Sequence, residues 1–355
     1  MPGSALERLV ARGPQLRARL LRWYARHRRR LPWRGTRDPY RVWLSEVMLQ
    51  QTRVVAAIPY YRAFLRAFPT VRALASATQQ QVLRVWAGLG YYARARHLLR
   101  AARQIVRRGD FPTSAREWRT LPGVGPYTAA AVASIAFGEN VVAVDGNVVR
   151  VGVRLLGLAG TPRDPTVRRT VQQAFQALLP TGRAGEFNQA LMDLGATLCL
   201  PEAPRCPACP LREFCSARAR GLAHRLPLGT RSPAKPRRLF VAALARDARG
   251  SVLLLRRPPV GLWGGLWTPP YVEAPSWEQA RAALRRVLGV SLRRDGLVTS
   301  FQHAFTHFHA TFTVYGVRLQ GPPRTGRFLD PHGSDLPMPA PVRRLLSDLA
   351  RQQRE

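Results

Sequence analysis

Lysine is nearly missing from this chain: Lys235 is the only one in 355 residues. Chemistry that needs an amine, above all Schiff-base attack on a sugar, is thereby reduced to that side chain or the N-terminus. Cysteine is also scarce, with four residues confined to 199–215, which excludes a disulfide-stapled scaffold. Long apolar runs are lacking too. The longest, AAAVASIAF at 129–137, falls well short of the roughly 20 residues of a membrane span. The N-terminus, MPGSALERLVARGPQLRARL, lacks the apolar region of a secretory signal. A cytoplasmic protein with no membrane partner is expected.

Acidic residues are few, 20 against 56 Lys+Arg, so the formal net charge is +36. Nearly all of the positive charge is arginine. Residues 1–237 hold 38 arginines and Lys235 against 12 carboxylates, a net +27; the remainder, with 17 arginines and 8 carboxylates, carries +9. Such a balance selects a polyanion, nucleic acid first, as partner. A G+C-rich genome is the alternative source of the arginine, and charge alone does not choose between the two.

The length calls for two domains. From about Leu16 to Leu191 the periodicity is helical nearly throughout. Asp38-Pro39 has the form of an N-cap followed by proline at the first helical position, and Ser114 and Glu117 have capping-box spacing. The Pro/Arg/Gly-rich stretch LPLGTRSPAKPRR at 226–238 reads as a linker. Beyond it come short β-rich runs at 239–246, 251–257 and 309–319, with one helical piece near 277–288. The expected organisation is an all-α domain over 1–225, the linker, and an α+β domain over 239–355.

Three constellations carry chemistry. The string LPGVGPYTAA at 121–130 is a glycine-proline turn between a short helix and one that Pro126 begins, a helix-hairpin-helix. At Gly123, Val124 and Gly125 the backbone can approach a DNA phosphate with little side-chain bulk, a contact blind to base sequence. Cys199, Cys206, Cys209 and Cys215 follow the spacing C-x6-C-x2-C-x5-C. Four clustered thiols suit zinc or an iron–sulfur cluster; the spacing departs from the paired C-x2-C knuckles of a zinc ribbon and favours the cluster. Such a loop presents Arg205 and Arg212 to DNA. Finally, Glu46 lies in VWLSEVMLQQ with no basic residue three or four positions away on its helix, so burial favours its protonated form, as a general acid requires. Asp145, in VVAVDGNVVRV, sits where an extended run meets a helix, and an N-cap position keeps a carboxylate ionised. The pair has the character of an acid and an anion that together break a glycosidic bond.

LPWR (31–34), DPYRVWLSEVMLQQTRV (38–54), GLGYYARARHL (88–98), LPGVGPYTAAA (121–131), VDGNVVRV (144–151), NQALMDLGA (188–196) and the four-cysteine spacing occur in an order that resembles the adenine-specific mismatch DNA glycosylases, the MutY family. The resemblance implies a helix-hairpin-helix glycosylase domain with a [4Fe-4S] cluster on the four cysteines. It implies that Glu46 protonates adenine at N7 and that Asp145 stabilises the cationic sugar. Tyr127 and Asn147 would orient the reacting groups; Trp33, Arg34 and Gln189 would line the pocket of the extruded base; Gln51 and Tyr91 would wedge the duplex beside the partner base. Endonuclease III-like relatives in the same superfamily carry a lysine where this chain has Tyr127, so base removal without efficient strand cleavage is implied. GLWGGLWTPP (261–270) and its flanks resemble a Nudix fold, but ARAALRRVLGV lacks the acids of a metal-binding Nudix box. Recognition of oxidised guanine is implied instead, through Phe305, Thr306 and His307 in FQHAFTHFH (301–309), with threonine where the family often has serine. The expected partner is double-stranded DNA with adenine opposite 8-oxoguanine or guanine. The protein is expected to act as a monomer and to be cytoplasmic, nucleoid-associated and bacterial in type. The rivals are a strand-cleaving pyrimidine-lesion glycosylase and a non-catalytic DNA-binding protein with structural zinc.

Overall fold

Short polar side chains stand where helices begin. In the computed structural model, which describes residues 2–229, 234–330 and 336–351, Asp38 accepts hydrogen bonds from the Tyr40 and Arg41 amides and opens a helix at Pro39. Ser114 and Glu117 exchange both bonds of a capping box, and Asp145 caps a third helix through the Val148 amide. The chain divides into two compact units, residues 1–76 with 100–231 and residues 77–99 with 232–355. Of the stretch read as a linker, residues 230–233 lie outside the described residues.

The first unit is helical. Along its chain run α1 (Pro2–Ala11), α2 (Gly13–His27), α3 (Pro39–Leu49), α4 (Val54–Ala67) and α5 (Val71–Ser76); after α6 (Gln79–Trp86), α7 (Ala93–Arg108) leads back into it. Then follow α8 (Ala115–Trp118), α9 (Pro126–Ala136), α10 (Gly146–Leu156), α11 (Pro165–Ala177), α12 (Ala184–Thr197) and α13 (Ser216–Ala219). One hydrophobic cluster joins Leu16 and Leu20 of α2, Val148, Val149 and Val153 of α10, Val171 and Phe175 of α11, and Phe187 and Leu191 of α12. Each such side chain stabilises the fold by roughly 1.5–3 kcal/mol on full burial. That exceeds the few tenths that separate most helix propensities, so packing rather than propensity fixes where α10 and α12 lie.

The second unit holds α6, the start of α7 and an α+β assembly: β1 (Arg237–Leu244), β2 (Val252–Arg256), β3 (Trp267–Thr268), β4 (Tyr271–Glu273), α14 (Trp277–Leu288), β5 (Leu292–Ala304), β6 (His309–Leu319), β7 (Arg327–Leu329) and α15 (Ala340–Arg351). One sheet has the order β4-β1-β6-β5, with β1 parallel to β6 and β5 antiparallel to it; the other has the order β3-β2-β7. Ala310, Phe312 and Val314 alternate inward along β6, and Trp277, Ala280, Leu284 and Leu288 of α14 pack with Val241, Ala243 and Val317 of the larger sheet. The β5–β6 hairpin carries residues 301–309 to its tip.

Candidate active site and recognition loop

The hairpin is built by two glycines with different tasks. Gly123 takes φ +77°, the left-handed region that favours glycine, while Gly125 caps α9 in extended conformation with open space where a Cβ would stand. Val124 between them is buried. Thr128 to Ser134 of α9 are buried and mostly alanine, and such small side chains let α9 lie close to α3. The approach brings the Tyr127 hydroxyl to Glu46, where it donates to Oε2 at 2.7 Å. Glu46 is only 6% exposed. Burial raises its pKa and the nearby Asp145 charge adds to the rise, against the Tyr127 hydrogen bond and the Arg34 charge, which lower it. Burial, with the charges of Glu46 and Asp145, also holds the Tyr127 phenol well above its ordinary value, so it remains a donor.

Asp145 uses both oxygens. Oδ1 accepts the Val148 amide at 2.7 Å and Oδ2 accepts Asn147 Nδ2 at 3.0 Å. Asn147 Oδ1 in turn accepts Arg150 Nη2 at 2.9 Å, and Arg150 is anchored on the Gly195 and Cys199 carbonyls, both at 2.8 Å. A Cβ on Gly195 would stand 2.7 Å from Asn147 Cβ, so α12 can pass this close to α10 only at a glycine.

Trp33 is buried and meets Tyr61 edge-on at 5.1 Å. Arg34, in the turn closed by its own amide on the Leu31 carbonyl, hydrogen-bonds Gln189, which also accepts the Tyr24 hydroxyl at 3.1 Å. Here the structure adds residues that sequence reasoning missed. Asp193, wholly buried, accepts Arg34 Nη2 at 2.9 Å and three bonds from Arg29: Nη2 at 2.7 Å, Nε at 2.9 Å and the amide at 3.1 Å. Met192 Sδ lies 3.7 Å from the Tyr127 hydroxyl. Gln189, Met192 and Asp193 are spaced three and four apart on α12, one helical face. A lone carboxylate in the apolar run ALMDLGA was the available signal, the same one that singled out Glu46.

Among the described residues three non-glycines have left-handed φ, and two of them are Gln51 (+57°) and Tyr91 (+49°). Such backbone strain persists where surrounding structure enforces it, often at functional positions. Both side chains are exposed, Tyr91 by 42%, so Tyr91 is not a core aromatic. The cysteines are all free thiols. Burial pushes Cys209 up to about 12, with smaller rises from the other three; Cys215 is raised likewise by burial, then by Cys199 and Cys206. Arg154, wholly buried, donates to Cys199 Sγ at 3.3 Å and to the Leu200, Pro201 and Leu226 carbonyls. Among the described residues no group of three or more His, Cys, Asp or Glu is gathered as one metal ion would need.

Residues 44–177 match the family of HhH-GPD superfamily base excision DNA repair proteins, and residues 241–348 match the NUDIX domain. The human adenine DNA glycosylase is 37% identical over 380 residues, covering 89% of this chain and 69% of that one. The chain belongs to the adenine DNA glycosylase family. A second member, from Buchnera aphidicola subsp. Baizongia pistaciae, is 30% identical over 295 residues, with 81% and 82% of the two chains covered. Among solved structures, a thermostable thymine-DNA glycosylase superposes with a TM-score of 0.53 at 27% identity, over 61% of this chain and 98% of that one. A non-covalent endonuclease III–DNA complex gives 0.50 at 22% identity, over 59% and 98%, a likeness of fold.

In the second unit of this adenine DNA glycosylase relative, Phe305, Thr306 and His307 turn the β5–β6 hairpin, and the Phe305 amide bonds the Phe308 carbonyl. Thr306 Oγ1 donates to the Tyr91 hydroxyl at 2.9 Å. Phe305 is supported by rings of Phe308 at 4.8 Å, His303 at 4.5 Å and Trp263 at 5.6 Å, while His307 is exposed. Trp263, His303, Phe305 and Thr306 border a cavity of about 340 Å³ that also includes Tyr91 and Arg96. Lys235, the chain's one side-chain amine, bonds the Phe305 carbonyl at 3.1 Å.

Proposed function

We propose that the protein removes adenine mispaired with 8-oxoguanine or guanine in duplex DNA, by acid-assisted hydrolysis of the N-glycosidic bond and without cutting the strand. The observation that carries the reading is a buried glutamate, held by a tyrosine hydroxyl at 2.7 Å, that feels the charge of an N-cap aspartate. The two carboxyl groups meet opposite needs. Glu46 delivers a proton to adenine N7 so that the base leaves neutral, and Asp145, fixed by Val148 and Asn147, stabilises the positive charge that develops on the sugar. Tyr127 aims the acid. Water then adds to the sugar, with the same carboxylates assisting.

An adenine inside a duplex is out of reach, and extruding it costs a few kcal/mol, least at a mispair. Gln51 and Tyr91 would fill the gap, with their strained backbones fixing the direction of each wedge. Trp33, Arg34 and Gln189 would receive the base, and the hairpin amides at Gly123–Gly125 would hold a phosphate. Phe305, Thr306 and His307 would read the oxidised guanine. Nudix-type nucleotide hydrolysis lacks its metal ligands: α14 carries Glu278 as its one acid and arginines at 281, 285 and 286. Tyr127, which offers no amine, and Lys235, whose amine bonds the Phe305 carbonyl, support monofunctional action.

The spacing C-x6-C-x2-C-x5-C of the four cysteines suits a [4Fe-4S] cluster, whose thiolates bind different irons, better than the paired C-x2-C knuckles of a zinc ribbon. When bound, the cluster supplies a rigid staple for residues 199–215. The test is a duplex, in monomeric protein, with one adenine opposite 8-oxoguanine: strand breaks should appear only after alkali, and breaks without alkali would refute monofunctional action. The purified protein should be brown with iron; colourless, zinc-loaded protein would refute the cluster.

A further inference from the structure

Asp193 stands out among the buried titratable groups because the proposed chemistry makes no direct use of it. Its carboxylate is wholly buried, sits on the same face of α12 as Gln189 and Met192, and is bonded by two guanidiniums, Arg29 just before the LPWR turn and Arg34 within it. One of these, Arg34, reaches Gln189 with its other nitrogen and acts electrostatically on Glu46. Arg34 Nε is buried with no hydrogen-bond partner, a donor left over for a ligand in the pocket. We propose that Asp193 is a positioning residue: it clamps Arg29 and Arg34 into the wall of the adenine pocket and balances the charge of the Arg34 guanidinium there.

The proposal rests on the reading of Glu46 as the acid. A buried guanidinium favours a nearby carboxylate over the carboxylic acid, so a pocket that needs both a recognition arginine and a protonated glutamate needs a counter-charge on the arginine. Asp193 provides it without touching the base. The titratable or charged groups acting on Glu46 are Tyr127 from α9, Arg34 from the turn before α3 and Asp145 at the start of α10; those at Asp193 are Arg29, Arg34 and the Tyr24 phenol, which feels its charge.

The test is the pH dependence of single-turnover adenine release in the full-length, cluster-loaded protein. Activity that needs protonated Glu46 falls as pH rises through its pKa. Arg34→Met removes the guanidinium while Arg29 still pairs Asp193, and should move this alkaline limb up by about one pH unit. Asp193→Asn should move it down by a similar amount, and Asp193→Glu should restore it. Removing one partner of a buried ion pair is strongly destabilising; should Asp193→Asn fail to fold, Arg34→Met carries the test alone. Rates lowered at every pH with the limb unmoved in Arg34→Met would overturn the proposal and leave the clamp a structural feature. An absent alkaline limb in the unmodified protein would instead remove the Glu46 reading, and the proposal with it.

Discussion

Replacing Asp145 by asparagine separates the electrostatic role of this residue from its structural one. Asparagine ranks with aspartate as an N-cap, so the Val148 amide, now at 2.7 Å from Oδ1, keeps an acceptor. Two contributions disappear: the favourable interaction of a negative charge with the α10 N-terminus, about 0.3–1 kcal/mol, and the bond from Asn147 Nδ2, about 1 kcal/mol. The unfolding free energy should therefore drop by about 1–2 kcal/mol. The chemistry should suffer far more. A carboxylate about 4 Å from a developing sugar cation, at an effective dielectric near 20, contributes on the order of 4 kcal/mol, or about a thousandfold in rate. Single-turnover adenine release and thermal unfolding measured on the same preparation test this. Asp145→Ala, which also loses the cap, should cost about 1 kcal/mol further stability with little further loss of rate. A less than tenfold loss of rate in well-folded Asp145→Asn would refute the electrostatic role, as would rate and stability falling in step across the two variants.

Three further outcomes are expected. Glu46 has a folded pKa raised above its ordinary 4.5, so its contribution to stability is present below 4.5 and is lost as pH rises through the folded value; Glu46→Gln should melt higher than the unmodified protein near neutral pH, with the gap closing in acid, while adenine release falls about 10²–10⁴-fold. Gly195→Ala places a methyl 2.7 Å from Asn147 Cβ and should cost about 1–3 kcal/mol by overpacking, read as a lowered Tm, together with slower adenine release as Asn147 shifts from Asp145. Thr306→Ala removes the hydroxyl that bonds Tyr91 and should reduce the preference for 8-oxoguanine over guanine as the base opposite adenine, read as the ratio of kcat/KM values on the two duplexes; an unchanged ratio would remove Thr306 from lesion reading.

What was legible in the sequence is what short-range chemistry determines. The caps at Asp38, Ser114 and Asp145 are bonds within four residues, and the structure has each of them. The burial of Glu46 follows from an apolar helix around it. The partners of these groups were not legible, because packing brings them from far along the chain: Arg34 and Asp193 are 159 residues apart, and Tyr127 and Glu46 are 81 apart. The union of residues 77–99 with the C-terminal unit has no local signature, since α6 reads as one more amphipathic helix. Strands β3, β4 and β7, two or three residues each, are too short to establish a period. The left-handed backbones of Gln51 and Tyr91 are imposed by their surroundings on residue types that do not favour them.

Proton donation by Glu46 requires that its carboxyl be protonated where adenine is released. Infrared difference spectroscopy, unmodified protein minus Glu46→Gln, reads that state directly. The carbonyl band of a protonated carboxyl should be present at pH 7 and give way to a carboxylate band only as the pH is raised. A carboxylate band at pH 7, unchanged down to the ordinary range of a solvent-exposed glutamate, would contradict it.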